Sequence, residues 1–143
     1  MALTILGNKL HDAGIEVRES LEPVLVNVNV TGLLQVFINI ISNAIHAMQD
    51  IDRPRILTIS SHVEGTIVKI NFTDTGSGID AAIQDKVMEP FFTTKPPGEG
   101  TGLGLFISQG IIEKMGGKIT FTSISDVGTT FSVSLFKVNA ISD

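Results

Sequence analysis

The stretch that most restricts how this chain folds is residues 33–48. Leu33, Leu34, Val36, Phe37, Ile38, Ile40, Ile41, Ile45 and Met48 cover most of a helix circumference instead of one narrow stripe. A helix of that kind is largely buried, so the rest of the chain has to supply a layer that covers it. Thr31 stands where its N-cap is expected. One face breaks the pattern, because Gln35, Asn39, Asn43 and His46 recur at i, i+4, i+8 and i+11. An unpaired buried amide costs roughly 1–3 kcal/mol, so this polar line requires core partners or a ligand.

Residues 89–109 form a second unusual stretch. Glu89-Pro90-Phe91-Phe92-Thr93-Thr94-Lys95 leads into a loop with Pro96, Pro97 and four glycines, Gly98, Gly100, Gly102 and Gly104. The loop opens into the apolar-periodic run Leu103, Leu105, Ile107, Ile111 and Ile112, and so has the character of a flap hinged on a helix start. A helix start offers unpaired N–H groups and the positive end of the macrodipole, which suits an anion and above all a phosphate chain. A plain surface loop with a helix cap is the competing reading of the glycines alone.

The other segments read as an alternation of strands and turns. Residues 1–13, with Leu3, Ile5, Leu6 and Leu10, have the spacing of a frayed helix end and read as the tail of a preceding region. Residues 14–18 and 24–30 alternate as short edge strands. Residues 55–62 and 66–73 read as a hairpin joined through Val63, Glu64 and Gly65. The second strand ends in Asp74-Thr75-Gly76-Ser77-Gly78-Ile79, which sets a carboxylate acceptor beside backbone that can approach a flat ligand closely. A tight turn with Asp as turn former explains the same residues. Asp80 is placed to cap a short helix through residue 88, and the helix over 102–115 stops at Gly116-Gly117. Residues 118–123 and 129–138 close the chain as two more strands around Asp126, Val127 and Gly128.

Composition narrows the function classes. The 143 residues suffice for one domain with a sizeable core. Ten basic residues scattered over a chain of net charge −5 make no basic stripe, which argues against a nucleic-acid surface. His11, His46 and His62 fit no zinc spacing, and the absence of cysteine removes disulfides and thiolate metal sites and suits a cytoplasmic interior. No uninterrupted apolar run reaches the about 18 residues of a membrane span, and no secretory pattern opens the chain. No membrane contact is expected.

Five boxes fall in one order over about ninety residues: Asn39-x-x-x-Asn43-Ala44, Asp74-x-Gly76-x-Gly78, Phe91-Phe92-Thr93-Thr94-Lys95, Gly100-Thr101-Gly102-Leu103-Gly104-Leu105 and Gly128-Thr129-Thr130-Phe131. Each is common alone, but the ordered set is specific. It resembles the catalytic ATP-binding domain of bacterial sensor histidine kinases, in the superfamily that also holds type II topoisomerases, MutL and a heat-shock chaperone. The run from Glu89 to Lys95 into the glycine box is similar to the nitrogen-regulation type. The resemblance covers residues 14–138 and implies an α/β two-layer sandwich, the Bergerat fold, with a mixed β-sheet backed by three α-helices. Residues 1–13 would then be a remnant of a preceding dimerisation region or linker, and 139–143 a tail.

The same resemblance implies roles. Asp74 would accept a hydrogen bond from the adenine 6-amino group, where GTP carries a repelled oxygen. Thr129 would assist through water, and Gly76, Gly78 and Ile79 would lie against the base. Asn43 would ligate Mg²⁺, whose remaining shell of phosphates and water suits a neutral amide oxygen. Asn39 stands where hydrolysing relatives carry a water-activating Glu, which favours transfer to a protein acceptor over ATP hydrolysis. His46 and Lys95 match basic positions near the phosphates; a half-buried helix histidine with a core partner is the other reading of His46. Gly100, Thr101, Gly102, Leu103, Gly104 and Leu105 would present the phosphate-binding helix start, and Phe92, with Phe91, would anchor the flap.

In such kinases the phosphoryl group passes to a histidine on a separate dimerising hairpin and then to a response-regulator receiver domain. Neither His11-Asp12 nor His62-Val63 has the acceptor context. The resemblance therefore implies a domain that binds ATP (or ADP) with Mg²⁺ and acts on a histidine elsewhere. Two rivals stand beside it: an ATPase of the topoisomerase or MutL type, which would need a Glu near Asn39 and a lysine from a following domain, and a non-catalytic docking module.

Overall fold

The computed structural model of the chain describes residues 2–21, 29–90, 92 and 104–137, with side chains described from Leu6 onward. Along the sequence come α1 (Ala2–Asp12), β1 (Glu16–Ser20), α2 (Val30–Ala47), β2 (Ile56–Glu64), β3 (Ile67–Asp74), a single 3-10 turn (Gln84–Lys86), α3 (Gly104–Lys114), β4 (Lys118–Ile124) and β5 (Gly128–Phe136). The strands form one sheet in the order β1-β2-β3-β5-β4, parallel between β1 and β2 and antiparallel elsewhere. The mixed sheet and its three helices make the expected two-layer α/β sandwich.

Period-2 alternation decides which face of the sheet the helices cover. In register, Leu57 and Ile59 of β2 meet Asp74 and Phe72 of β3, while Phe131 and Val133 of β5 meet Phe72 and Ile70 on one side and Phe121 and Ile119 of β4 on the other. These residues line the helix side. The alternate positions, including Thr58, Lys69, Asn71, Thr73, Ser132 and Thr120, lie on the opposite face, where Ser132 donates to Asn71 Oδ1 at 2.6 Å and the Thr73 and Thr130 hydroxyls pair at 2.9 Å.

Against the apolar face α2 packs Val36, Ile40, Ile41 and Met48, each at most 1% exposed. Full burial of such a side chain contributes about 1.5–3 kcal/mol, which makes this helix the main source of packing energy in its layer. Phe37 meets Phe72 with ring centroids 5.2 Å apart, and Ile112 joins the core from α3. By length and composition α2 would suffice to cross a membrane, yet Val36, Ile40, Ile41 and Ala44 are spent on the core.

The structure corrects several local expectations. The N-cap of α2 is Asn29, whose side chain accepts from Gly32 N at 3.1 Å, so Thr31 lies inside the first turn. Asn caps strongly, and the helix extends back to meet it. Most of the strand expected over 24–30 lies outside the described residues, and its end, Asn29 and Val30, is cap and helix. The hairpin turn is Gly65-Thr66, with Val63 and Glu64 still in β2. Asp80 caps no helix: its side chain accepts from Ala82 N at 3.0 Å in a local turn, and the single 3-10 turn that follows has Ile83 as its N-cap with no side-chain cap. Leu6 and Leu10 of α1 are buried in the core, so this segment is built into the helical layer.

Candidate functional site

At one end of the helix-facing side the apolar rows stop and a polar row begins. Two residues beyond Phe72, Phe131 and Phe121 stand Asp74, Thr129 and Ser123, on the same face by alternation. Asp74 is 6% exposed and Thr129 5%. Asp74 Oδ1 accepts from Gly76 N at 2.8 Å and from Thr129 N at 3.3 Å. Its Oδ2 receives no hydrogen bond from any other described residue. Burial raises the Asp74 pKa above the ordinary 3.8, while the Gly76 and Thr129 N–H groups and the Arg53 charge pull it back. The result is a buried carboxylate with one oxygen held by the backbone and one left for a donor.

The turn carrying that carboxylate is braced from two sides. Arg53 donates from Nε to Thr75 O at 3.1 Å and from Nη2 to Gly76 O at 2.5 Å. The Thr75 hydroxyl accepts from Ile56 N at 3.0 Å and donates to Pro54 O at 2.8 Å. On the other side Ser77 N donates to Ala47 O at 3.0 Å, so the turn sits on the last turn of α2. A Cβ on Gly76 would lie 2.7 Å from both Cβ and O of Ala47, and only glycine allows this approach. Asn43 is four residues before Ala47, about 6 Å back along the axis.

The polar line of α2 divides on folding. Asn39 is half-buried, and its Nδ2 donates to Gly104 O at 3.3 Å and to Ser108 Oγ at 3.0 Å, tying α2 to the first turn of α3. Asn43 and His46 are half-buried, and neither side chain hydrogen-bonds another described residue. Gln35 is exposed and lines a different open cleft with Asn29, Gly32, Ile111, Lys114 and Met115 at the opposite end of α2.

Ile79 N donates to Ser123 Oγ at 2.7 Å, and that oxygen is also 2.7 Å from Thr129 Oγ1. Gln84 Nε2 donates to Ile79 O at 2.9 Å, which fixes this segment beside the polar row. Phe92 is half-buried and its N–H donates to Glu89 O at 3.4 Å; Leu105 packs against the core. Lys95, Gly100, Thr101, Gly102 and Leu103, like Phe91, lie outside the described residues. Three contributors escaped the sequence reading: Arg53, Ser108 and Ser123. Ser108 had a signal, a hydroxyl at a core position between Leu105 and Ile112; Ser123 and Arg53 had none.

Among the described residues no group of three or more His, Cys, Asp or Glu is placed to hold a metal ion. A lone neutral amide such as Asn43 fits Mg²⁺, which binds few protein ligands and keeps water and phosphate oxygens around it. A magnesium ion bound there would screen phosphate charge.

The model of the family described as histidine kinase-, DNA gyrase B-, and HSP90-like ATPase matches residues 28–139. Sensor protein TdiS of Thauera aromatica is 38% identical over 104 residues, which are 71% of this chain and 19% of that protein. Sensor histidine kinase ZraS of Escherichia coli (strain K12) is 41% identical over 103 residues, 72% of this chain and 21% of that protein. The chain thus spans about a fifth of the length of these relatives. A solved catalytic domain of histidine kinase ThkA superposes with a TM-score of 0.82 at 28% identity, covering 96% of this chain and 90% of that one. With the held carboxylate, the glycine approach and the α2 amides in place, the chain belongs to the histidine kinase-, DNA gyrase B-, and HSP90-like ATPase family, as a catalytic domain of the sensor histidine kinase type.

Proposed function

We propose that this domain binds ATP with Mg²⁺ and transfers the γ-phosphoryl group to a histidine on a separate dimerisation and phosphotransfer domain, from which a response-regulator receiver domain is served. The observation that carries the reading is Asp74: buried, with Oδ1 held by two backbone N–H groups and Oδ2 open to a donor such as the adenine 6-amino group. Gly76 and Thr129 hold that carboxylate through their N–H groups, Ile79 is tied to Ser123, which pairs with Thr129, and the turn after Asp74 is bonded to Ala47 of α2, the helix that carries Asn43 and His46. Asn43 is proposed as the Mg²⁺ ligand, and Asn39, His46 and Lys95 as the groups near the transferring phosphate. Asn39 is no general base, which supports transfer over hydrolysis.

The nitrogen-regulation type is supported by the run from Glu89 to Lys95, and a cytoplasmic site of action by the sensor-kinase relatives. The test is calorimetric titration with ATP and GTP, with and without Mg²⁺, followed by γ-labelled ATP and an added histidine domain. Binding of ATP over GTP and label on the added domain, with none on the isolated chain, are expected. No ATP binding would remove the reading. Binding without transfer would leave the docking-module alternative.

A further inference from the structure

Ser108 is a fully buried hydroxyl, 0% exposed, on the core side of α3. Its oxygen accepts from Asn39 Nδ2 at 3.0 Å, and the same nitrogen donates to Gly104 O at 3.3 Å. A carbonyl oxygen carries no hydrogen, so the atom facing Gly104 O has to be the amide nitrogen, and the orientation of the side chain is settled by chemistry. Both amide hydrogens are consequently engaged by α3. What Asn39 has left is Oδ1, an acceptor. Phosphate oxygens have no hydrogen to give it at neutral pH, whereas a water held by a cation does.

We propose that Ser108 is a positioning residue that locks the Asn39 amide with its hydrogens on α3, so that Asn39 meets a bound nucleotide as an acceptor for cation-held water and never as a phosphate donor. This rests on the ATP·Mg²⁺ reading above. Without the Ser108 oxygen, one amide hydrogen loses its partner and only the longer bond to Gly104 O, at 3.3 Å, still holds the amide, which then rotates more readily and exposes N–H and acceptor alike to the nucleotide.

Three chains test this: the wild type, Ser108→Ala, and Ser108→Cys, which keeps the volume but is a poor acceptor. In the unliganded wild type the Asn39 side-chain amide protons are expected to exchange slowly by NMR, and in both variants at least about tenfold faster, since a partly buried bond of this kind is worth about a factor of ten. With Mg²⁺, ATP affinity is expected to fall about tenfold in both variants, and without Mg²⁺ to stay within about twofold of wild type. Wild-type exchange in Ser108→Ala, recovery in Ser108→Cys, or equal losses with and without Mg²⁺ would each overturn the proposal. A wild-type chain that bound no ATP at all would instead defeat the parent reading, while the exchange measurement would still report on the Ser108–Asn39 bond.

Discussion

Ser77 N donates to Ala47 O at 3.0 Å, and through that bond the turn after β3 docks on the C-terminal turn of α2. The Asp74 carboxylate and the α2 amides are held in one frame by it, and the docking leaves no room for a side chain. A Cβ on Gly76 would meet Ala47 O at 2.7 Å; one on Gly78, at φ +75, would meet Ile124 O at 2.2 Å. Gly104 differs, its nearest neighbour being Asn39 Cγ at 3.8 Å. In urea denaturation Gly76→Ala is expected to lose about 1–3 kcal/mol and Gly78→Ala more, since it adds backbone strain. Gly104→Ala is expected to be neutral or slightly stabilising. Equal stability of all three would show that the turn moves freely on α2.

Asp74→Asn keeps an oxygen for Gly76 N and Thr129 N and puts an amide NH₂ where Oδ2 stood. That group repels an amino donor and welcomes a carbonyl. ATP affinity is expected to fall about ten- to a hundredfold, and the preference over GTP to shrink. Calorimetry with both nucleotides checks this, and an unchanged ATP affinity would take Asp74 out of the site.

The raised pKa of Asp74 has opposite consequences for stability and for binding. A carboxylate whose folded pKa lies above its unfolded value contributes stability that is fully present below the unfolded pKa and lost as pH rises through the folded one. Relative to Asp74→Asn, the unliganded wild type should therefore lose stability as pH climbs from the ordinary 3.8 through the raised folded value, while its ATP affinity climbs, because the acceptor must be ionised. Thermal melts of both chains across that range supply the comparison, in which the other carboxylates cancel. Parallel curves would show that Asp74 does not titrate differently in the two states.

Arg53 lies on the exposed side of the same turn, so its charge acts through solvent and is screened by salt. Arg53→Met removes that charge and both carbonyl contacts, which should move the pH midpoint of ATP binding upward. Affinity is expected to drop more at low pH, where Asp74 is partly protonated, than at about pH 8, with the gap narrowing in about 0.5 M salt. A midpoint identical to wild type would leave Arg53 as a packing residue only.

Much of the fold was legible because its signals are local. Alternation in residues 55–62, 66–73 and 129–138 marks strands with one apolar face, and the near-continuous apolar cover of residues 33–48 marks a central helix; all four are found within a few residues of the expected bounds. The N-cap was misplaced because Asn29 and Thr31 are both good caps, and the choice depends on where the helix meets its neighbours. The weight of α1 was hidden for a similar reason: Leu6 and Leu10 acquire meaning only from the core they enter.

Sequence alone determined the candidates for the proposed chemistry: a strand-ending Asp74 before spaced glycines, amides one turn apart at Asn39 and Asn43, and a glycine-rich run before a helix. Tertiary structure decided how those groups are aimed. Asn39 is bonded to Ser108, 69 residues away; Ile79 is tied to Ser123, 44 residues away; and Arg53 reaches the Asp74 turn across 22 and 23 residues. A hydrogen bond depends on distance and angle in space, and pairs so far apart in the chain have no spacing that announces them. Periodicity can reveal a buried face, but the direction of an amide or a carboxylate on that face exists only once the layers have closed.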